Sequence, residues 1–132
     1  MRLLDLFCGV GGAAMGYYRA GFGEIVGVDI KSMPRYPFTF VQADALEYVA
    51  EHGCEFDVIH ASPPCQRYST MSRRRLDHPD LYNATRDALV KVSRDYVIEN
   101  VIGAPYNHGI VLCGSMFGLK VRRHRHFESN QV

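Results

Sequence analysis

The segment Phe56-Asp57-Val58-Ile59-His60-Ala61-Ser62-Pro63-Pro64-Cys65-Gln66 decides how the rest of the chain is read. Its first half is a short apolar run, and a run of that length bounded by a proline pair predicts a buried strand that stops abruptly. Neither Pro63 nor Pro64 can donate a ladder hydrogen bond, and each fixes its own φ. The chain therefore leaves the sheet stiffly and presents Cys65 at the carboxyl end of a strand. In open α/β sheets that is where ligands bind and chemistry occurs. A thiol there is either a nucleophile or an inert packing residue, and this segment alone does not choose between them.

Working outward, the flanking sequence alternates strand and helix signals. Arg2 to Phe7 predicts a strand broken by Cys8-Gly9-Val10-Gly11-Gly12, and a helix follows from Ala13 to Ala20, closed by Gly21. Strand, glycine turn and helix N-terminus bind anions or nucleotide-like groups through free backbone N–H donors. The glycine spacing is not that of the dinucleotide fingerprint. Glu24 to Asp29 predicts a second strand, and its final acid lies about 20 residues after the turn, where a carboxylate can accept both hydroxyls of a ribose or simply cap a turn. Phe38 to Gln42 predicts a third strand. Asp44 then caps a helix over Ala45 to His52, points into the cleft, or does both, and Gly53 stops that helix.

Beyond Cys65, Gln66 to Pro79 lacks periodicity and interleaves Arg67, Arg73, Arg74 and Arg75 with Tyr68, Ser69, Thr70 and Ser72. Such a loop suits phosphate contacts and a mobile lid. A helix is predicted from Asp80 to Val92, and strands over Tyr96 to Val101, Ile110 to Cys113 and Val121 to Phe127. The last of these alternates, with Arg123 and Arg125 on one face and Arg122, His124 and His126 on the other. The β–α alternation predicts an α/β fold: a three-layer, Rossmann-like, mostly parallel sheet with helices on both faces.

Composition narrows the class. With 132 residues and 47% hydrophobic content, the sequence predicts one soluble domain. No apolar run approaches the ~18 residues of a membrane span, and the N-terminus enters a strand pattern at once rather than a secretory signal. The four cysteines are widely spaced without a C-x-x-C pair, which points to reduced thiols in the cytoplasm and to neither a disulfide frame nor a metal site. Net charge is +1, but residues 1–60 carry four Lys/Arg against eight Asp/Glu, whereas residues 61–132 carry eleven against six. The second half can face an anion.

Four stretches stand in a fixed order: Asp5-Leu6-Phe7-Cys8-Gly9-Val10-Gly11-Gly12, Pro63-Pro64-Cys65-Gln66, Glu99-Asn100-Val101 and Arg123-His124-Arg125. Together they resemble the S-adenosylmethionine-dependent cytosine-5 DNA methyltransferase family, over residues 3 to about 127. The resemblance implies that Phe7 stacks on the cofactor's adenine, that Gly9, Gly11 and Gly12 pass its methionine portion, and that Asp29 holds the ribose. Ile30, Asp44, Ala45 and Pro64 complete the implied cofactor site. Cys65 becomes the nucleophile toward C6 of a flipped-out cytosine, Glu99 engages N3 and the exocyclic amine, and Asn100 shapes the pocket. Arg123 and Arg125 orient the base, while Gln66 and Ser69 match positions that contact double-stranded DNA. The chemistry asks for these groups, because C5 of cytosine becomes nucleophilic only after a thiolate adds at C6, and the target must leave the stacked duplex.

The sequence departs from the family at Val121, where a glutamine usually precedes the first arginine by two residues. Residues 1–132 are expected to be the catalytic domain only, without a target-recognition domain or the C-terminal family segment. A second chain supplying recognition, a noncatalytic remnant that binds cofactor or DNA, and an RNA cytosine-5 methyltransferase are the alternative readings.

Overall fold

The structure is a computed structural model that describes residues 1–68 and 79–131. Seven strands form one sheet: β1 (Arg2–Leu6), β2 (Glu24–Asp29), β3 (Thr39–Gln42), β4 (Val58–Ala61), β5 (Asp95–Asn100), β6 (Ile110–Cys113) and β7 (His124–Ser129). Their order is β3-β2-β1-β4-β5-β7-β6. The first five strands are mutually parallel, and β7 runs antiparallel between β5 and β6. Among the described residues three α-helices accompany them: α1 (Gly12–Arg19), α2 (Ala45–His52) and α3 (Leu81–Val92). The architecture is the three-layer, Rossmann-like arrangement expected.

Strand periodicity assigns each residue to a layer. Leu4 and Leu6 of β1, Val26 and Val28 of β2, Ile59 of β4 and Ile98 of β5 pack with Ala45 and Val49 of α2 and Tyr82 and Leu89 of α3. Leu3 and Ile25 face the other way, against Ala14 of α1 and Tyr36. One layer thus holds the side-by-side pair α2 and α3, and the other holds α1 with the 31–38 connection.

Local chemistry sets the element ends. Phe7 ends β1 one residue earlier than the sequence predicts because it adopts φ 56, a conformation that costs a non-glycine residue about 1–3 kcal/mol and persists where surroundings impose it. Gly11 begins α1 at φ 89, and a Cβ there would lie 2.6 Å from Pro37 Cδ. Asp44 caps α2, its Oδ1 accepting the N–H groups of Leu46 (2.8 Å) and Glu47 (3.0 Å). The α-helix ends at His52 as expected, with Gly53 as its C-cap and a 3-10 turn continuing through Glu55; glycine also supplies room beside Val92 and Val49. Asp80 caps α3. The last strand begins at His124 rather than Val121 and runs on to Ser129; Glu128 is carried inside it because Arg86 of α3 pairs with its carboxylate (Nε to Oε1 2.6 Å).

Candidate active site

The strand order reverses beside β1: the chain proceeds outward through β2 and β3, then returns to β4 on the other side. A crevice at the carboxyl ends of the strands is the expected ligand position at such a switch point. Phe7 follows β1, Asp29 ends β2, Ser62 to Gln66 follow β4, and Glu99 and Asn100 end β5, so all four lie on this edge. Because β7 is antiparallel, its beginning arrives at the same edge and delivers Arg123 and Arg125. A parallel strand in that position would have sent them to the opposite end of the sheet.

These residues line one cavity of about 430 Å³. Cys65 is half-buried in it, with the exposed Pro64 and Gln66 on either side. Glu99 and Arg125 face each other as an ion pair, Oε1 to Nε 2.8 Å, each side chain about three-quarters covered. Asn100 is buried and ties two strand ends together: its Nδ2 donates to the Pro63 carbonyl (2.8 Å), and its Oδ1 accepts the Val101 N–H (2.9 Å). The turn that carries Cys65 is closed by the Tyr68 N–H on the Cys65 carbonyl (2.9 Å). That turn presses on the loop after β5, where a Cβ on Gly103 would sit 2.8 Å from the Tyr68 carbonyl oxygen. Phe7, Asp29 and Ile30 form the far end of the same cavity.

Among the remaining expected site residues, Gly9, Gly11, Gly12, Asp44 and Ala45 do not line this cavity. Gly9 nevertheless touches it through its N–H, which donates to Asp29 Oδ2 (3.1 Å), while Lys31 N–H holds Oδ1 (3.0 Å). Ser69 and the run Arg73-Arg74-Arg75 lie outside the described residues. Lys31, Met33, Ser62, Pro63 and Val101 also line the cavity. Sequence reasoning did not single them out as site residues, although Ser62 and Pro63 precede Cys65 directly and Lys31 follows the Asp29-Ile30 pair.

The thiols differ in setting. Burial pushes Cys8 up to about 12, helped by the negative charges of Asp5 and Asp29, which makes it inert as a nucleophile at neutral pH. Cys65 is the cysteine that opens onto the cavity. Behind it, His60 is buried and burial lowers it to about 4. It stays neutral, bridging Tyr17 Oη (3.2 Å) and Ser62 Oγ (2.9 Å). Asp5 lies under the glycine turn, accepts from Tyr36 Oη (3.1 Å), and burial pushes it up to about 7. Among the described residues no three His, Cys, Asp or Glu side chains are grouped to hold a metal ion, and no helix is long and apolar enough to cross a membrane.

Fold and site together define a Rossmann-like methyltransferase fold with a cysteine presented at its switch point. A family model for C-5 cytosine-specific DNA methylase matches residues 1–103. The chain belongs to that family. It is similar to the type II methyltransferase M.AgeI of Thalassovita gelatinovora, at 30% identity over 78% of this chain and 28% of the relative. It is also similar to M.XorII of Xanthomonas oryzae pv. oryzae, at 29% identity over 76% of this chain and 28% of the relative. The chain therefore spans 28% of the length of those two curated relatives. Among solved structures, a prophage-encoded Escherichia coli protein described as a DNA modification methyltransferase superposes with TM-score 0.69 at 25% identity, covering 96% of this chain and 45% of that one. The Dnmt2 methyltransferase of Schizosaccharomyces pombe superposes with TM-score 0.70 at 19% identity, covering 98% and 48%, a likeness of fold.

Proposed function

We propose that this chain carries the catalytic half of a DNA (cytosine-5)-methyltransferase, transferring a methyl group from S-adenosylmethionine to C5 of a cytosine extruded from double-stranded DNA. The observation that carries the reading is the convergence of Cys65, the Glu99–Arg125 ion pair and Asn100 in one cavity with Phe7 and Asp29.

The residues present fit the cofactor. Each Asp29 oxygen takes one backbone N–H and keeps a lone pair for a ribose hydroxyl. A Cβ built on Gly9 or Gly12 would meet no atom within 4 Å, so the backbone there is open to close approach. The Phe7 ring supplies an apolar face beside Ile30. When bound, the cofactor supplies an electrophilic methyl group.

The chain's own residues do the rest. Cys65 Sγ forms a bond to C6 of the cytosine, and the electron pair of the C5–C6 double bond moves into the ring toward N3. Glu99, aligned by Arg125 and entering the step as the carboxylic acid, gives its proton to N3 as that charge builds and takes it back when the thiolate leaves. The activated C5 takes the methyl group and loses its proton to solvent water, and Cys65 departs as the thiolate, which restores the C5–C6 double bond. Asn100 holds the Pro63 carbonyl and so keeps the cysteine turn against the strand that bears Glu99.

Residues 1–132 act here as a methyltransferase catalytic domain. A second reading, in which further polypeptide from the same or another chain completes the enzyme, is supported by an open apolar groove bounded by Ala13, Gly16, Tyr17, Ala20 and Phe127 on the α1 side of the sheet.

Covalent trapping tests the proposal. The protein is incubated with S-adenosylmethionine and duplex DNA containing 5-fluorocytosine, whose fluorine blocks the final elimination. A denaturant-stable adduct is expected, and Cys65→Ser abolishes it. An adduct that survives in Cys65→Ser, or no adduct in protein that binds both cofactor and DNA, overturns the reading.

A further inference from the structure

A cluster of polar groups lies on the other side of the sheet, outside the mechanism above. His126 and Glu128 of β7 and Tyr82 of α3 are each fully buried. Arg86 clamps Glu128 with two bonds, Nε to Oε1 2.6 Å and Nη2 to Oε2 2.7 Å, and its Nη2 also donates to the Pro105 carbonyl (2.6 Å). Glu128 Oε2 further accepts the Asn107 N–H (3.2 Å) and lies 3.1 Å from Tyr82 Oη. His126 Nε2 meets Tyr82 Oη at 2.9 Å, and His126 Nδ1 meets the Val101 carbonyl at 3.0 Å. A carbonyl only accepts, so Nδ1 carries the proton; in the neutral ring Nε2 then accepts the one Tyr82 hydroxyl proton, which leaves Glu128 Oε2 to the Arg86 and Asn107 donors. Burial lowers His126 from its ordinary value, which favours that neutral ring.

The bonds converge on the loop after β5. Val101 follows Glu99 and Asn100 directly, and its carbonyl also accepts the Ala104 N–H (3.0 Å). Gly103, within that turn, is the residue pressed against Tyr68 of the cysteine turn. His126 and Arg125 are neighbours on β7 with side chains on opposite faces, so one residue grips the carbonyl beyond Asn100 while the other grips Glu99.

We propose that His126 is a positioning residue: backed by Tyr82, it fixes from behind the sheet the strand end that bears Glu99 and Asn100, and through the 101–104 turn the loop that bears Cys65. The inference rests on the function proposed above, since positioning matters only if Cys65 and Glu99 act on one base. A buried network with every member satisfied specifies one arrangement of the groups it joins.

Two measurements on the whole chain test it. In nitrogen-15 spectra, wild-type His126 is expected as the Nδ1-protonated tautomer, with a protected Arg125 Nε–H signal that His126→Leu broadens or shifts. In the trapping reaction, His126→Leu is expected to slow adduct formation by about 10-fold to 100-fold, the scale of a misplacement near 1 Å, with cofactor affinity unchanged. His126→Asn, whose amide can still donate to Val101, recovers most of the rate. Tyr82→Phe, which keeps the Val101 bond, slows the reaction less and stands in should His126→Leu not fold. An Nε2-protonated wild-type tautomer, or a folded His126→Leu with the wild-type Arg125 signal and trapping rate, overturns the proposal. If wild-type protein forms no adduct, the proposed function fails, and the Arg125 signal alone decides the positioning.

Discussion

Asp5 imposes a stability cost that can be read as a slope against pH. It is 1% exposed, lies beside Asp29 and Cys8, and accepts a hydrogen bond from Tyr36. Burial is the largest influence on it and, with the nearby charge of Asp29, pushes it up to about 7; the Tyr36 bond opposes both. An ordinary aspartate titrates near ~3.9, and each pH unit of difference is worth about 1.4 kcal/mol. Between about pH 4 and 7 the folded chain keeps a proton that the unfolded chain has already released, so folding stability falls as pH rises through that window. The loss sums to about 4 kcal/mol and levels off above pH 7, a large share of the ~5–15 kcal/mol typical of a domain. Asp5→Asn has no proton to lose. Denaturant midpoints measured for both proteins from pH 4.5 to 8 are expected to converge at low pH and separate as pH rises, with the variant gaining. The carboxamide's own fit shifts the offset between the curves but not their relative slope, and groups common to both proteins cancel. A wild-type-minus-variant difference that stays flat across pH 4.5 to 7 refutes the reasoning.

Two further substitutions probe the cofactor side. Gly27→Ala places a Cβ 2.2 Å from Tyr36 Cζ and 2.6 Å from its Oη, so the ring must move and release Asp5. The expected cost is about 1–3 kcal/mol, read as a lower denaturation midpoint together with a changed near-ultraviolet tyrosine signal. Asp44→Ala removes both cap bonds of α2 and is expected to cost about 1 kcal/mol, whereas Asp44→Asn keeps them at little cost, since Asn ranks with Asp as an N-cap. Calorimetry on Asp44→Asn separates the cap from any cofactor contact, because weaker S-adenosylmethionine binding at unchanged stability assigns Asp44 to the site as well.

Most of the sheet was legible because its signals are local. The prolines after Ala61, the glycine turn after Phe7 and the acid after Val28 each end a strand by their own backbone or side-chain chemistry, and β2, α2 and β6 have the predicted bounds. The final strand runs past its expected end at Phe127 for a nonlocal reason. Its continuation through Glu128 depends on Arg86, 42 residues earlier, and no window around Glu128 contains that information. The motifs singled out Cys65, Glu99, Arg125 and Phe7, and the fold brings them into one cavity with Asp29 and Ile30. Glycine spacing alone did not reveal that Gly11 is wedged against Pro37 instead of lining that cavity. Nor did the alternation at Arg123 to Phe127 disclose that His126 turns inward to the Val101 carbonyl.

The position of β7 between β5 and β6 has a consequence for how the chain comes off the ribosome. Residues 1–100 can emerge and pair as five parallel strands, yet β5 keeps one row of backbone donors and acceptors unpaired until residues 124–129 follow. Strand β6 emerges earlier than β7 but, among the described residues, pairs with β7 alone, so it has no place on the sheet while it waits. An open, apolar strand edge is a template for pairing with other chains, and such edges are most dangerous in partly assembled intermediates. The sheet is thus joined only when β7 slots between β5 and β6, and until then the nascent protein is most exposed to misassembly.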